Sequence, residues 1–337
     1  MRRRLAAVVV VAGLAALAGC GGGDGTSTSS STPKAAKLSL GFSAWPGWFP
    51  WQVAEEKGIF DKHGLNVDLK YFESYTDSLN ALATGNIDGN SQTLNDTISS
   101  VSGGSKQSIV LVNDNSTGND QIIAAAEIAT VESLRGKKVG VEEGTVDHYL
   151  LLLGLQRAGM TPADVDLQPL LTDAAAAAFA SGQLDAVGAF APFTDTARGR
   201  PGSKVLFSSA DFPGAIPDHL VMDSTFVQER PGDVQKLVDA WFDTLGYIAA
   251  NPDESIAIMA KRAGVDVAAY RDYDAGTTIF SLAENVEAFA PGNDQKHLDF
   301  AARQIATFLV DSKLVDTAPD LTGLLNPTFV TARAAAG

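Results

Sequence analysis

Two heptapeptides, Ala83-Thr84-Gly85-Asn86-Ile87-Asp88-Gly89 and Ala180-Ser181-Gly182-Gln183-Leu184-Asp185-Ala186, match in chemistry at every position. In each, a helical pattern stops at a glycine able to take positive φ, and a short strand pattern begins two residues later. Around the first, the spacing predicts strands over Leu38–Ser43, Leu65–Phe72, Ile87–Ser91 and Ser108–Val112, with helices over Trp51–Glu56, Thr76–Thr84 and Leu94–Val101. Around the second it predicts strands near Gln121–Ala125, Lys138–Val141, Asp166–Leu171 and Leu184–Phe190, with helices near Val146–Ala158 and Asp173–Ala180. Strand-helix alternation of this kind favours parallel sheets covered by helices. Two similar α/β lobes follow, with the chain crossing near Asn115–Asn119 and returning near His219–Ser224. Two crossings make a hinge with a cleft between the lobes. From Thr225 onward the pattern is helical, with apolar stripes such as Val234, Leu237, Val238, Trp241, Leu245 and Ile248, and this tail is expected to pack mainly on the first lobe. The final residues, Thr331–Gly337, are expected to fray.

The beginning of the chain has a different character. Arg2, Arg3 and Arg4 precede an apolar run from Leu5 to Leu17, followed by Ala18, Gly19 and Cys20. A positive head, a short apolar core and small residues mark an export signal, too brief to serve as a permanent span. Leu17-Ala18-Gly19-Cys20 resembles the lipobox of bacterial lipoproteins, which implies cleavage before Cys20 and lipid on its thiol. Cys20 is the only cysteine in the chain, so no internal disulfide can form. The Gly/Ser/Thr-rich stretch after it reads as a flexible tether. The resulting organisation is residues 1–19 as signal, 20–36 as lipid-anchored tether, 37–116 with 224–337 as lobe I, and 117–223 as lobe II. Without residues 1–19 the chain carries 22 basic against 40 acidic side chains, a net −18. Such a body is unsuited to nucleic acid or to anionic lipid. No second apolar run approaches membrane-spanning length.

An exported, lipid-anchored, two-lobed α/β chain resembles the solute-binding component of an ABC importer. Gly58-Ile59-Phe60-Asp61-Lys62-His63-Gly64-Leu65 is similar to a segment of the nitrate/sulfonate/taurine and thiamine-precursor group, and the likeness extends through Leu79–Asp88, Val131–Gly140 and Gly182–Pro192. Trp45-Pro46-Gly47-Trp48, Val112-Asn113-Asp114, Gly118-Asn119-Asp120 and Val146-Asp147-His148 look most like the branch associated with urea carboxylase genes. The resemblance implies a periplasmic-binding-protein-like fold of type II. It implies a monomer on the outer face of the cytoplasmic membrane or in the periplasm, whose partners are a membrane permease and its ATPase. It also implies a small nitrogenous cargo such as guanidine or urea. The wider group implies the alternatives: sulfonate, taurine, nitrate or a thiamine pyrimidine precursor.

The residues speak to cargo independently of that likeness. In open parallel sheets a ligand sits beyond the carboxyl ends of the strands. The loops there, Ser43–Trp51, Gln92–Thr97, Asn113–Gly118, Glu142–His148, Phe190–Asp195 and Ser209–His219, contain no lysine or arginine. They do contain tryptophans and many carboxylates, a set suited to a planar cation or polar neutral solute rather than to an anion. The candidate ligand-binding residues are Ser43, Trp45, Trp48, Asp96, Asp114, Glu143, Asp147 and Asp218. Each carboxylate has a structural rival: Asp96 and Asp147 stand early in helices, where they also oppose the dipole, and Asp114 suits a turn. Glu142 and Glu143 point to opposite faces if still in a strand, so at most one reaches the cleft. Trp51 begins a helix and reads as core.

His63, His148, His219 and His297 show no paired ligand spacing, and no zinc or EF-hand signature is present. No metal or other cofactor is expected. Nor does the sequence contain a G-x-S-x-G, a Walker A loop or a dinucleotide fingerprint, so a carrier rather than an enzyme is expected. The enzyme alternative is a thiamine-pyrimidine-synthase relative, which uses a cysteine-rich segment that this chain lacks.

Overall fold

A computed structural model describes residues 36–337. The expected export signal, Cys20 and the tether as far as residue 35 lie outside the described residues. Eleven strands are present among the described residues: β1 Lys37–Ser43, β2 Asn66–Phe72, β3 Gly89–Thr93, β4 Gln107–Ser116, β5 Asp120–Ala124, β6 Lys138–Val141, β7 Asp166–Pro169, β8 Ala186–Phe190, β9 Lys204–Ser208, β10 Pro217–Asp223 and β11 Thr277–Ile279. They form two sheets, in the orders β11-β4-β10-β3-β1-β2 and β7-β6-β8-β5-β9.

The two heptapeptides do the same work in both sheets. Helices Tyr75–Ala83 and Thr172–Ala180 end at Gly85 and Gly182, with φ of 72° and 82°. Asn86 N–H then bonds back to Ala81 O at 2.8 Å, and Gln183 N–H to Ala178 O at 2.9 Å, which satisfies carbonyls left open at each helix end. Three residues after each glycine an aspartate pins the central strand of a parallel trio. Asp88 Oδ2 accepts from Ser39 N–H at 2.7 Å on β1, and Asp185 Oδ2 accepts from Lys138 N–H at 2.9 Å on β6.

Each sheet then repeats one strand order. β2-β1-β3 and β7-β6-β8 are parallel, and an antiparallel strand separates each trio from the next member. That antiparallel strand is the one delivered by a crossing: β5 follows β4 into the smaller sheet, and β10 follows β9 into the larger. This corrects the expected extent of the second lobe, 117–223. β10 pairs with β3 and β4 in the larger sheet, so the return crossing occupies residues 209–216 rather than His219–Ser224. A strand's hydrophobic pattern states that it is buried, not which sheet receives it.

The helical tail does pack on the larger sheet's side. Trp241, in helix Pro231–Ala250, meets Trp51 with ring centroids 4.6 Å apart, and Trp51 donates Nε1–H to Ser91 Oγ at 2.9 Å on β3. Trp51 is therefore core, as expected. The chain end is helical over Thr328–Ala336 instead of frayed, because Phe329 and Val330 are buried and Arg333 pairs with Asp243 at 2.7 Å. Asn285, in helix Leu282–Phe289, completes the ladder at β4 with its side chain: Oδ1 accepts from Val112 N–H at 2.7 Å and Nδ2 donates to Val112 O at 3.0 Å. Asn285→Ala strands two buried backbone groups and is expected to lower unfolding free energy by about 2–5 kcal/mol, measured by urea denaturation.

Candidate functional site

The carboxyl ends of the parallel strands of both sheets meet around one narrow space of about 10 Å³, room for about one water. From the larger sheet's side come Ala44, Trp45, Trp48, Tyr75, Thr93 and Asp218; from the smaller sheet's side come Asp120, Val146 and Phe190. Four aromatic rings form a closed circuit. Trp45 to Trp48 is 6.3 Å between centroids, Trp48 to Tyr75 5.5 Å, Tyr75 to Phe190 6.2 Å, and Phe190 back to Trp45 6.4 Å. Phe190 is the ring the second sheet contributes, so the box is complete only with both sheets in place.

Local geometry explains the position of the tryptophans. Residues 45–48 form a turn, with Trp48 N–H donating to Trp45 O at 3.0 Å. Trp45 Nε1–H donates to Asp114 Oδ1 at 2.8 Å, and Tyr270 O–H to Pro46 O at 3.1 Å. A side chain at residue 47 is impossible in this arrangement: a Cβ on Gly47 would lie 1.9 Å from Asp114 Oδ2.

Beneath the rings lies a concentration of buried acid. Asp96, Asp114, Asp120, Glu142, Asp147 and Asp218 are all at most 4% exposed, and among the described residues none is ion-paired with Lys, Arg or His. Burial pushes Asp96 and Asp120 up to about 7 and Asp114 up to about 8, and it raises Asp147 and Asp218 well above the usual carboxylate range. Several buried polar atoms have no partner: both carboxylate oxygens of Asp218, Asp120 Oδ2, Asp114 Oδ2 and, among donors, Trp48 Nε1.

Residues 31–264 match the sequence model of one family, described as NMT1-like. This chain belongs to the NMT1-like family. A protein of Brucella abortus (strain 2308) that carries a binding protein's name, with no ligand in it, is 33% identical over 220 residues, spanning 64% of this chain and 68% of its own. The taurine-binding periplasmic protein of Escherichia coli (strain K12) is 28% identical over 229 residues, 64% of this chain and 70% of its own. Among solved structures, the alkanesulfonate-binding protein SsuA of Xanthomonas axonopodis pv. citri, bound to MOPS, superposes with a TM-score of 0.74 at 18% identity, covering 88% of this chain and 100% of its own. The desulfurization enzyme DSZB shares the fold at a TM-score of 0.64 and 16% identity, over 89% and 99% of the two chains. The architecture expected from the sequence is therefore present: an α/β periplasmic-binding-protein fold with two lobes, each around a mixed sheet. Family and relatives together make this NMT1-like chain a small-solute-binding protein.

Within that frame the sequence-predicted residues fall into distinct places. Trp45, Trp48 and Asp218 line the space. Asp114 stands directly behind Trp45 through its hydrogen bond, and Ser43 is buried at the end of β1 with an unpartnered hydroxyl. Asp96 does not line the space; it holds the box, accepting from Tyr75 O–H at 2.8 Å and Thr93 Oγ1–H at 2.6 Å on Oδ2, and from Asn95 Nδ2–H at 2.9 Å on Oδ1. Glu143 is exposed, and its neighbour Glu142 is the buried one. The strand parity that left one of the pair for the cleft ends at Val141, and Glu142 turns inward onto two helix starts. Its carboxylate accepts from Thr76 N–H at 3.2 Å and Thr76 Oγ1–H on one side of the cleft, and from Thr172 N–H at 3.2 Å and Thr172 Oγ1 at 2.7 Å on the other. Helix N-termini are electropositive, so one carboxylate tying two of them bridges the lobes.

Asp147 lies beside that bridge, its Oδ2 2.7 Å from Thr172 Oγ1. A hydroxyl has one hydrogen and two acceptors within reach, so a protonated Asp147 donating to Thr172 Oγ1 satisfies the group, in keeping with the rise that burial imposes on Asp147. The sequence reading missed Tyr75, Phe190 and Asp120 as site residues. Asp120 was visible only as part of Gly118-Asn119-Asp120, and Phe190 only as the end of a strand facing the cleft.

Unfolded aspartate titrates near about 3.9, so between about pH 4 and about pH 8 the native NMT1-like chain holds more protons on these carboxylates than the unfolded chain does. Stability from this source falls as pH rises through that window. Buried His219, lowered to about 3, acts oppositely, but only below the unfolded histidine value of about 6.5. Above about pH 6.5 the carboxylates act alone. The urea midpoint of ligand-free protein is expected to fall steadily from about pH 6.5 to about pH 8.5, and Asp218→Asn to flatten that slope; a midpoint that rises over this range contradicts the assignment.

Proposed function

We propose that this protein is the extracytoplasmic solute-binding component of an ABC importer, and that its cargo is a small nitrogenous solute, cationic or neutral, of the guanidine or urea kind. The observation that carries the choice of cargo is the aromatic box floored by buried carboxylate oxygens without partners and without a basic side chain. A planar cation against indole and phenol faces gains about 0.5–2 kcal/mol, more as water is excluded, and in-plane N–H groups meet the free oxygens of Asp218 and Asp120. Trp48 Nε1–H adds a single donor for an oxygen acceptor such as that of urea. The space, about 10 Å³ as the lobes sit here, has room for about one water, so a solute of a few heavy atoms enters only as the rings and lobes give way. Among the described residues no group of three or more His, Cys, Asp or Glu side chains could hold a metal ion, which favours an organic cation over a bare one.

The second reading is an anion of the sulfonate or taurine kind, favoured by the name of the Escherichia coli relative. It would bring negative charge to a lining that offers mainly acceptors. In the first reading lobe I is 37–116 with 217–337, lobe II is 117–216, and the solute draws them together by touching Trp48 and Asp218 on one side and Asp120 and Phe190 on the other. Lipid on Cys20 would hold the monomer at the outer membrane face, where a permease and its ATPase receive the cargo. The described residues contain no helix long and apolar enough to cross a membrane. The bound compound is returned unchanged, which separates this reading from an enzyme on the same fold.

The chain from Ala36 onward, which lies within one compact unit, permits a direct test. In a thermal-shift and calorimetric panel, guanidinium or urea is expected to stabilise it, by about 2.7 kcal/mol at 100 times the dissociation constant, while taurine, alkanesulfonates and nitrate leave it unchanged. Asp218→Asn is expected to weaken guanidinium binding by about 10- to 100-fold, the worth of one charge-assisted contact. Phe190→Ala should weaken it several-fold from the opposite lobe. Tight taurine binding with no response to guanidinium or urea reverses the assignment.

A further inference from the structure

Asp114 and Asp218 stand directly opposite each other in the antiparallel β4–β10 register, and both are buried to within 1% of completeness. Like charges in that position repel, and burial adds to the cost of ionising both. Trp45 Nε1–H serves Asp114 Oδ1, but Asp114 Oδ2 and both oxygens of Asp218 have no donor from any neighbour. The backbone at Gly47 is pressed against the Asp114 carboxylate on the loop side.

We propose that one proton bridges Asp114 and Asp218 in the ligand-free protein, and that a cationic solute enters the box by displacing that proton to solvent. The step balances: one carboxyl O–H bond breaks, the proton passes to bulk water, and the pair goes from one negative charge to two as one positive charge arrives. The net charge of the site is the same before and after, so an exchange replaces the burial of an extra ion. A carboxyl–carboxylate pair sharing a proton titrates as a unit, and the O–H···O⁻ bond is among the stronger hydrogen bonds.

The surroundings agree. The groups facing the pair are Asp120 on β5, Asp96 on helix Leu94–Ser102, Tyr75 on the box wall, Trp45 on the loop and Tyr270 behind it, with Glu142 and Asp147 beyond Asp96; none carries positive charge. His219, next along β10, stays neutral because burial lowers it. Burial comes first in raising both members of the pair; repulsion from Asp114 and then Asp120 adds to it at Asp218, and repulsion from Asp120 at Asp114. Cation affinity then rises about tenfold per pH unit below the titration of the pair and levels off above it, so acid outside the cell releases cargo.

This inference rests on the cationic cargo proposed above, and two measurements on the full chain separate the two ideas. In infrared titration of ligand-free protein from about pH 5 to about pH 9, a protonated-carboxyl band is expected to persist at neutral pH, to fade as pH rises, and to shrink in both Asp114→Asn and Asp218→Asn. A neutral-pH band identical in wild type and both variants overturns the shared proton. In calorimetry with guanidinium chloride in buffers of different ionisation enthalpy, about one proton should leave per cation bound near pH 7, and close to none in Asp218→Asn. Cation binding without proton release sinks the exchange and leaves the cargo assignment intact. If guanidinium does not bind, the cationic form of the cargo assignment fails and the infrared result alone decides the shared proton.

Discussion

Six carboxylates brought to the meeting point of two sheets, with no basic side chain among them, present a charge problem that folding by itself does not solve. A buried carboxylate must be hydrogen-bonded, protonated or paired. With no basic partner for any of them among the described residues, hydrogen bonding and protonation remain, distributed by position. Glu142 is hydrogen-bonded on both oxygens by two helix starts, and Asp96 on both oxygens by Tyr75, Thr93 and Asn95. Those two support the architecture. Asp218, Asp120, Asp114 and Asp147 keep free oxygens, the first three against or just behind the enclosed space and Asp147 beside the Glu142 bridge. The free oxygens of Asp218 and Asp120, on the lining itself, are those that the solute proposed above would complete.

The same principle accounts for how the lobes are held. Interlobe contact at the site includes a carboxylate bridge through Glu142, a ring edge from Phe190 and the crossings themselves. At the hinge, Asn119 Nδ2 donates to Tyr273 O at 2.7 Å and Ser116 Oγ lies 2.7 Å from Ser209 Oγ, two neutral hydrogen bonds, while Tyr273 O–H donates to the Asp195 carboxylate at 2.6 Å. Neutral bonds of this kind contribute little net free energy each and exchange readily with water.

Much of the fold was legible because its defining devices are local. A glycine with positive φ after a helix, followed three residues on by an aspartate that reaches a backbone N–H, leaves a mark in seven residues, and the chain carries that mark twice. The sheet to which β10 belongs was not legible, since Pro217–Asp223 reads the same whichever sheet receives it. The polar end of β4, Asn113 to Ser116, likewise reads as a loop although it is strand and buried, because its partners are supplied from β10 and β11 far along the chain. At the site, Trp45 and Trp48 stood out by type and place. Phe190 and Asp120 did not, because their part in the box exists only once the second sheet is set against the first, a relation no local pattern encodes.

The sign of the cargo can differ from one member of this fold to another for a reason the geometry makes plain. The strands and the helix-ending glycines set the lobes, while the ligand meets only the loops at the carboxyl ends of the strands. Changing those loops leaves the devices at Asp88 and Asp185 untouched, since they lie at the starts of β1 and β6, the opposite ends from the cleft. A relative named for taurine and a chain whose cleft is acidic can therefore share one scaffold without contradiction. On the reading proposed above, what they do not share is the charge balance of the closed cleft. An anion needs donors held ready around it, whereas rings and free oxygens suit N–H groups and a positive or evenly shared charge.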